Sequence, residues 1–211
     1  MDRFADRTDA GTRLAGPVAR LGLADPVVLA LPRGGVPVAA PVADRLGAPL
    51  DLVMVRKIGT PGNPELAAGA VVDGAAPQTV FNDDILRSLG LSAEDFAEAV
   101  ARELKVIEER RATYLAGREP VALAGRNVIV VDDGIATGAT VKATLKALRG
   151  QGVASLTLAV PAAPKDTLAV LTPMVDHLIC LQTPEPFYAV GQAYARFGQT
   201  SDAEVVALLT G

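Results

Sequence analysis

The stretch Val128-Ile-Val-Val-Asp-Asp-Gly-Ile-Ala-Thr-Gly-Ala-Thr140 joins a β-branched run to two acids and then to a glycine-threonine turn. Asn127 to Val131 has the composition of a fully covered parallel strand, and Ala139 through Leu148 reads as a helix. A strand followed so closely by a helix points to an α/β sheet, with the turn between them where such sheets bind ligands. A loop of this kind presents free backbone N–H groups and the positive end of the helix dipole to an anion. Phosphate is the natural guest. Gly134 and Gly138 let the backbone approach closely, Ile135, Ala136 and Ala139 continue the loop, and Thr137 and Thr140 offer hydroxyl donors.

Asp132 and Asp133 do not suit a plain phosphate cradle, because two adjacent carboxylates would repel the guest. Vicinal hydroxyls of a ribose can donate to them, and a magnesium ion nearby can offset their charge. Two acids followed by a phosphate loop therefore spell a ribose carrying a 5′-phosphate. A helix cap would need only one acid and no glycine-threonine loop. The stretch closely resembles the phosphoribosyl-pyrophosphate (PRPP) signature of the type I phosphoribosyltransferases: four apolar residues, two acids, and a loop ending Thr-Gly-x-Thr.

At 211 residues the chain is expected to form a single domain over 1–211. Half of it is hydrophobic and only 4% aromatic, which suits helices packed on a parallel sheet. The net charge of −4 and the absence of a basic cluster argue against a nucleic-acid partner. One cysteine, Cys180, excludes an internal disulfide, and the single histidine, His177, has no second ligand at metal-binding spacing. There is no apolar leader and no apolar run of membrane-spanning length, so no membrane association is expected and the cytoplasm is the expected compartment.

Along the chain, a helix is predicted over residues 8–21, followed by a buried strand Pro26 to Leu31 and a helix Val36 to Leu46 that Pro41 should kink or break. The turn Arg33-Gly34-Gly35 is a second strand-to-helix anion site, and two anion loops imply two phosphate groups. A second sheet strand, Asp51 to Arg56, ends in Arg56-Lys57, two cations on the same edge. Ile58 to Glu65 is rich in Gly and Pro and reads as a mobile loop; Ala67 to Val72 and Gln78 to Phe81 make an antiparallel ribbon. A long helix follows from a Ser92 cap to about Tyr114, with Phe96, Val100, Leu104 and Ile107 as its apolar stripe. After the central helix come a strand Val153 to Val160, a short helix Pro164 to Leu171 and a strand Val175 to Leu181. The pattern predicts a doubly wound, five-stranded parallel sheet with helices on both faces. Phe187 and Tyr188, paired in a tail that starts on the ligand edge, are candidates for stacking on a planar base, with ordinary packing as the alternative.

The resemblance extends beyond the central motif. Arg33-Gly34-Gly35 looks like the pyrophosphate loop of type I phosphoribosyltransferases. Arg56 to Glu65 matches the Arg-Lys-x-Gly-x-Pro-Gly-Asn-Pro-Glu pattern of small bacterial members of unassigned substrate. It implies the type I fold, with a flexible loop and ribbon at about 57–81 and a C-terminal hood at about 182–211. It also implies PRPP and a nucleobase as substrates in nucleotide salvage, Mg2+ as cofactor, and leaves a homodimer open. By the same resemblance Arg33, Lys57, Asp132 and Asp133 are catalytic, and the two acids meet the metal indirectly or through PRPP. The hypoxanthine and guanine enzymes carry an acid before the Thr-Gly of the loop; Ala136 stands there instead, which disfavours their mechanism of proton removal. Two further classes stay open: a PRPP-sensing regulator with little turnover, and a phosphatase-like protein with Asp132 as nucleophile. The latter would need an acid at position 134, which is Gly.

Overall fold

The computed structural model describes residues 2–74 and 77–210, with backbone alone at 64 and 65; residues 75 and 76 of the expected ribbon and the end residues 1 and 211 of the expected domain lie outside the described residues. In chain order the elements are α1 (Arg7–Ala19), β1 (Pro26–Ala30), α2 (Gly35–Leu46), β2 (Leu50–Leu52), β3 (Val55–Thr60), β4 (Asn63–Val72), β5 (Gln78–Phe81), α3 (Asp83–Leu89), α4 (Ala97–Leu115), β6 (Asn127–Val131), α5 (Ala139–Arg149), β7 (Ser155–Ala162), α6 (Lys165–Leu171), β8 (His177–Gln182) and α7 (Asp202–Thr210).

Five strands form a parallel sheet in the order β2-β1-β6-β7-β8, and β3-β4-β5 form a separate antiparallel sheet. Pro26 to Ala30 pairs residue for residue with Asn127 to Val131, which pairs likewise with Ser155 to Ala159. The loops after Ala30 and Val131 therefore leave the sheet side by side. Strand alternation builds a core on each face. Val28, Ala30, Ile129 and Val131 meet α1, α2, α4 and α7, whereas Val27, Leu29, Val128 and Val130 meet α5 and α6. Among the described residues, no helix is long and apolar enough to cross a membrane.

The chain departs from the sequence expectations at three places. First, α2 runs unbroken through Pro41. Its Val38, Ala39, Val42 and Ala43 are buried against α1 and the sheet, and α1 crosses it so closely that a Cβ on Gly11 would stand 2.4 Å from the Val38 carbonyl oxygen. That packing outweighs one missing helix bond.

Second, the run Asp51 to Arg56 is not one strand. Val53 N–H still bonds the Ala30 carbonyl at 3.0 Å, but Met54 N–H bonds the Asp73 carboxylate at 2.6 Å and the chain turns away to pair with β4. Arg111 on α4 fixes this change of sheet, donating to Asp51 at 2.8 and 3.0 Å and to Asp73 at 2.8 Å.

Third, Ile58 to Glu65 is not an irregular loop. It is the closed end of a hairpin in which Thr60 pairs with Asn63 around Pro61-Gly62, and Ile58 is buried. The expected ribbon is present as β4 and β5.

Candidate functional site

The acid pair follows β6 directly, and the loop after β1 is pressed against it. A Cβ on Gly34 would lie 2.2 Å from Asp133 Oδ2, and one on Gly35 would lie 2.8 Å from the Val131 carbonyl oxygen and 3.1 Å from Asp132 Cα. A side chain at 35 would meet backbone, and one at 34 would have to displace the Asp133 carboxylate, so glycine is what lets the two loops touch. The Pro32–Arg33 peptide is cis. The Arg33 side chain lies 3.4 Å from Asp202 at the start of α7, and Tyr114 donates to the same carboxylate at 2.7 Å.

The two carboxylates differ in their surroundings. Asp132 Oδ1 accepts from the Asp133 N–H at 2.8 Å, while Asp133 Oδ2 accepts from Arg7 Nε at 2.8 Å. Burial, then the neighbouring Asp133 charge, pushes the Asp132 carboxyl well above its ordinary range. Burial also raises Asp133, and Arg7 pulls it back. A cation brought to this edge would favour both charged forms.

Beyond the acids, residues 134–138 turn the chain into α5. Ile135 N–H bonds the Ala162 carbonyl at 2.9 Å, and Thr167 Oγ1 donates to the Ala136 carbonyl at 2.8 Å, so β7 and α6 hold the loop. Gly134 has φ 155°, and a Cβ there would meet Val190 at 2.5 Å. The residue capping α5, Gly138, has φ 75° and no side chain to accept from the first turn. The helix thus opens with its N–H groups unused by a cap, while Ala136, Thr137, Ala139 and Thr140 are exposed beside them. That is the form of an anion site.

Arg56 and Lys57 part company on β3. Arg56 Nε donates to Glu103 on α4 at 2.8 Å. Lys57 lines a cavity of about 800 Å³ between the antiparallel sheet and α5, together with Phe81, Ala139, Thr140, Lys142 and Lys146. The structure therefore turns Lys57 into the cavity that Ala139 and Thr140 at the start of α5 also line, and sends Arg56 to Glu103 on α4.

A family model described as phosphoribosyl transferase domain matches residues 6–177. The chain belongs to the phosphoribosyl transferase domain family. Two curated relatives from strains of Mycobacterium tuberculosis, whose names carry a provisional phosphoribosyl transferase assignment, are 47% identical over 209 residues, 99% of this chain and 47% of theirs. The chain thus spans about half the length of these relatives. A crystal structure of a protein from Thermus thermophilus superposes with a TM-score of 0.85 at 42% identity, covering 99% of this chain and 98% of that one.

The two tail aromatics lie beyond the residues matched by the phosphoribosyl transferase model and do not line the cavity. Phe187 packs half-buried near Phe4, Ala193 and Tyr194, and Tyr188 is 84% exposed. The sequence reading missed Arg7 and Tyr194. The Tyr194 hydroxyl donates to the Asp133 carbonyl, and burial raises that hydroxyl's pKa, keeping it protonated as a donor. No local motif marks either residue; each lies remote in sequence from its acid partner.

Among the described residues no group of three or more His, Cys, Asp or Glu is placed to hold a metal. The acid pair alone offers a cation at most two carboxylates. Such a set fits magnesium, which retains waters and shares itself between one or two carboxylates and substrate phosphates.

Proposed function

We propose that this chain transfers the 5-phosphoribosyl group of PRPP to a nitrogen nucleophile of the nucleobase class, releasing pyrophosphate. The observation that carries the reading is the contact of Gly34 and Gly35 with Asp132 and Asp133, which sets a second anion loop against the acids that precede the first. One ligand carrying two phosphate groups on either side of a diol matches that order of parts.

In the reaction the C1′–O bond breaks with its electron pair leaving on pyrophosphate, a C1′–N bond forms and the proton displaced from the nitrogen passes to solvent or to the departing pyrophosphate, with positive charge growing on the sugar in between. Asp132 and Asp133 accept from the ribose hydroxyls and stabilise that charge. Residues 134–140 hold the 5′-phosphate on backbone N–H groups, with Thr137 and Thr140 hydroxyls beside them. The Arg33-Gly34-Gly35 backbone and Lys57 hold the pyrophosphate, and the hairpin tip at Pro61-Gly62 closes over it. Asp132 and Asp133 would hold magnesium through water or through the substrate, and the ion would supply charge neutralisation at the pyrophosphate. Positioning and charge stabilisation carry the rate.

Incubation with PRPP, magnesium and a panel of nucleobases tests this: pyrophosphate release with at least one base is expected. PRPP binding without turnover on any base would replace the enzyme reading with that of a PRPP-sensing regulator.

A further inference from the structure

Arg7 opens α1, and its guanidinium is held on three sides. Nε donates to Asp133 Oδ2 at 2.8 Å, Nη1 donates to the Gly198 carbonyl at 2.6 Å, and the guanidinium carbon lies 4.0 Å from the centroid of the Phe197 ring. Phe197 in turn stacks on Tyr194, with centroids 5.0 Å apart and planes at 28°, and Tyr194 donates to the Asp133 carbonyl. The Arg7 and Asp133 side chains are only 13% and 14% exposed. This is not a solvated surface pair, for which little coupling would be expected. It also uses what is particular to arginine: a planar face for the ring and a fork of donors for the carboxylate and the carbonyl.

The N-terminal and C-terminal segments therefore converge on residue 133 with direct hydrogen bonds and make none to the Asp132 side chain among the described residues. Phe4 N–H bonds the Ala193 carbonyl at 2.9 Å and Ala195 N–H bonds the Phe4 carbonyl at 2.7 Å, which holds the two segments together around Arg7.

We propose that Arg7 is a positioning residue for Asp133. It fixes the carboxylate's rotamer against Gly34 and offsets one of two adjacent negative charges. A sugar diol then meets one acceptor bonded directly to a cation, Asp133, and one, Asp132, that the same cation reaches only through its charge. Without the guanidinium, the two acids face each other unscreened and the Asp133 carboxylate loses its only side-chain partner among the described residues. The inference rests on the PRPP reading of this same site.

A double-mutant cycle tests it, with PRPP and magnesium titrated calorimetrically and thermal melting reporting the fold. Arg7→Gln should weaken PRPP binding about ten-fold in the otherwise natural chain, by a smaller factor in the Asp132→Asn background, where the second charge is gone but the positioning of Asp133 is still lost, and by less than about two-fold in the Asp133→Asn background. Arg7→Lys should recover part of the loss. An equal loss in the Asp133→Asn background, or none in the natural chain, overturns the proposal and leaves Arg7 as scaffold. Should Arg7→Gln not fold, Phe197→Leu removes the ring beneath the guanidinium and should give the same dependence on Asp133 with a smaller loss; additivity there overturns it equally. A natural chain that does not bind PRPP overturns the PRPP reading itself and this inference with it, a result distinct from binding with additive effects.

Discussion

Arg56 and Lys57 are adjacent on β3 and leave opposite faces of the strand, one to Glu103 on α4 and the other to the cavity beside Thr140. Their substitutions should separate accordingly. Arg56→Ala removes a half-exposed ion pair, so stability should change by no more than about 1 kcal/mol and PRPP affinity by less than about two-fold. Lys57→Ala should weaken PRPP about ten-fold, the effect of losing one charge-assisted contact of roughly 1.5 kcal/mol. Calorimetric titration of both variants checks this; equal losses would return Arg56 to the site.

The acid pair distinguishes ribose recognition from phosphate binding. Replacing Asp132 and Asp133 together by Asn should weaken PRPP by about two orders of magnitude, since charge-assisted hydrogen bonds contribute roughly 1.5–3 kcal/mol each. Inorganic phosphate, which has no diol, should bind at least as well as before. Both ligands weakening alike in calorimetry would mean that the acids only shape the loop.

Close backbone approaches predict two different failures. Gly34→Ala places a methyl group 2.2 Å from Asp133 Oδ2, so the acid or the loop must move and PRPP affinity should fall before stability does. Gly11→Ala places one 2.4 Å from the Val38 carbonyl oxygen, in helix backbone that cannot yield, and should destabilise the chain by about 1–3 kcal/mol. Melting curves alongside PRPP titrations should show each variant failing mainly in its own assay.

The buried trio Arg111, Asp51 and Asp73 predicts a pH dependence. Arg111→Met leaves two carboxylates without their cation and should cost about 3–5 kcal/mol near neutrality. Burial already raises the Asp73 carboxyl above 3.8, and loss of Arg111 removes two influences that lower it. The variant's folded state therefore holds a proton that the unfolded chain releases, and it gains stability relative to the natural chain as pH falls from the raised value towards 3.8. Denaturant titrations between neutrality and about pH 4 should show the gap narrowing; a constant gap would mean that Asp73 does not titrate there.

The central strand, its acids and its loop were legible because their chemistry lies within one short stretch, where β-branched residues, carboxylates and glycines each act on near neighbours. The five-stranded sheet followed from the same periodicity. The break at Met54 was not legible, because the apolar pattern runs on without interruption from Leu52 to Val55. What diverts the chain is the Asp73 carboxylate, 19 residues later. The hairpin at Pro61-Gly62 looked like a loop because its Gly and Pro content marks the turn and hides the pairing on either side. Arg7 is the extreme case: an exposed-looking cation at a helix start whose partner is 126 residues away.

Helix α5 begins at the proposed phosphate loop and packs against β4 and β5 of the antiparallel sheet as well as β7 of the parallel one. Its first turn has no side-chain cap, which leaves its opening amides to the phosphate that the proposed function places there. A ligand settling there steadies the end of a helix on which a second sheet leans. Amide hydrogens in β4 and β5 should then exchange more slowly with deuterium in the presence of PRPP, even where the strand touches no part of it.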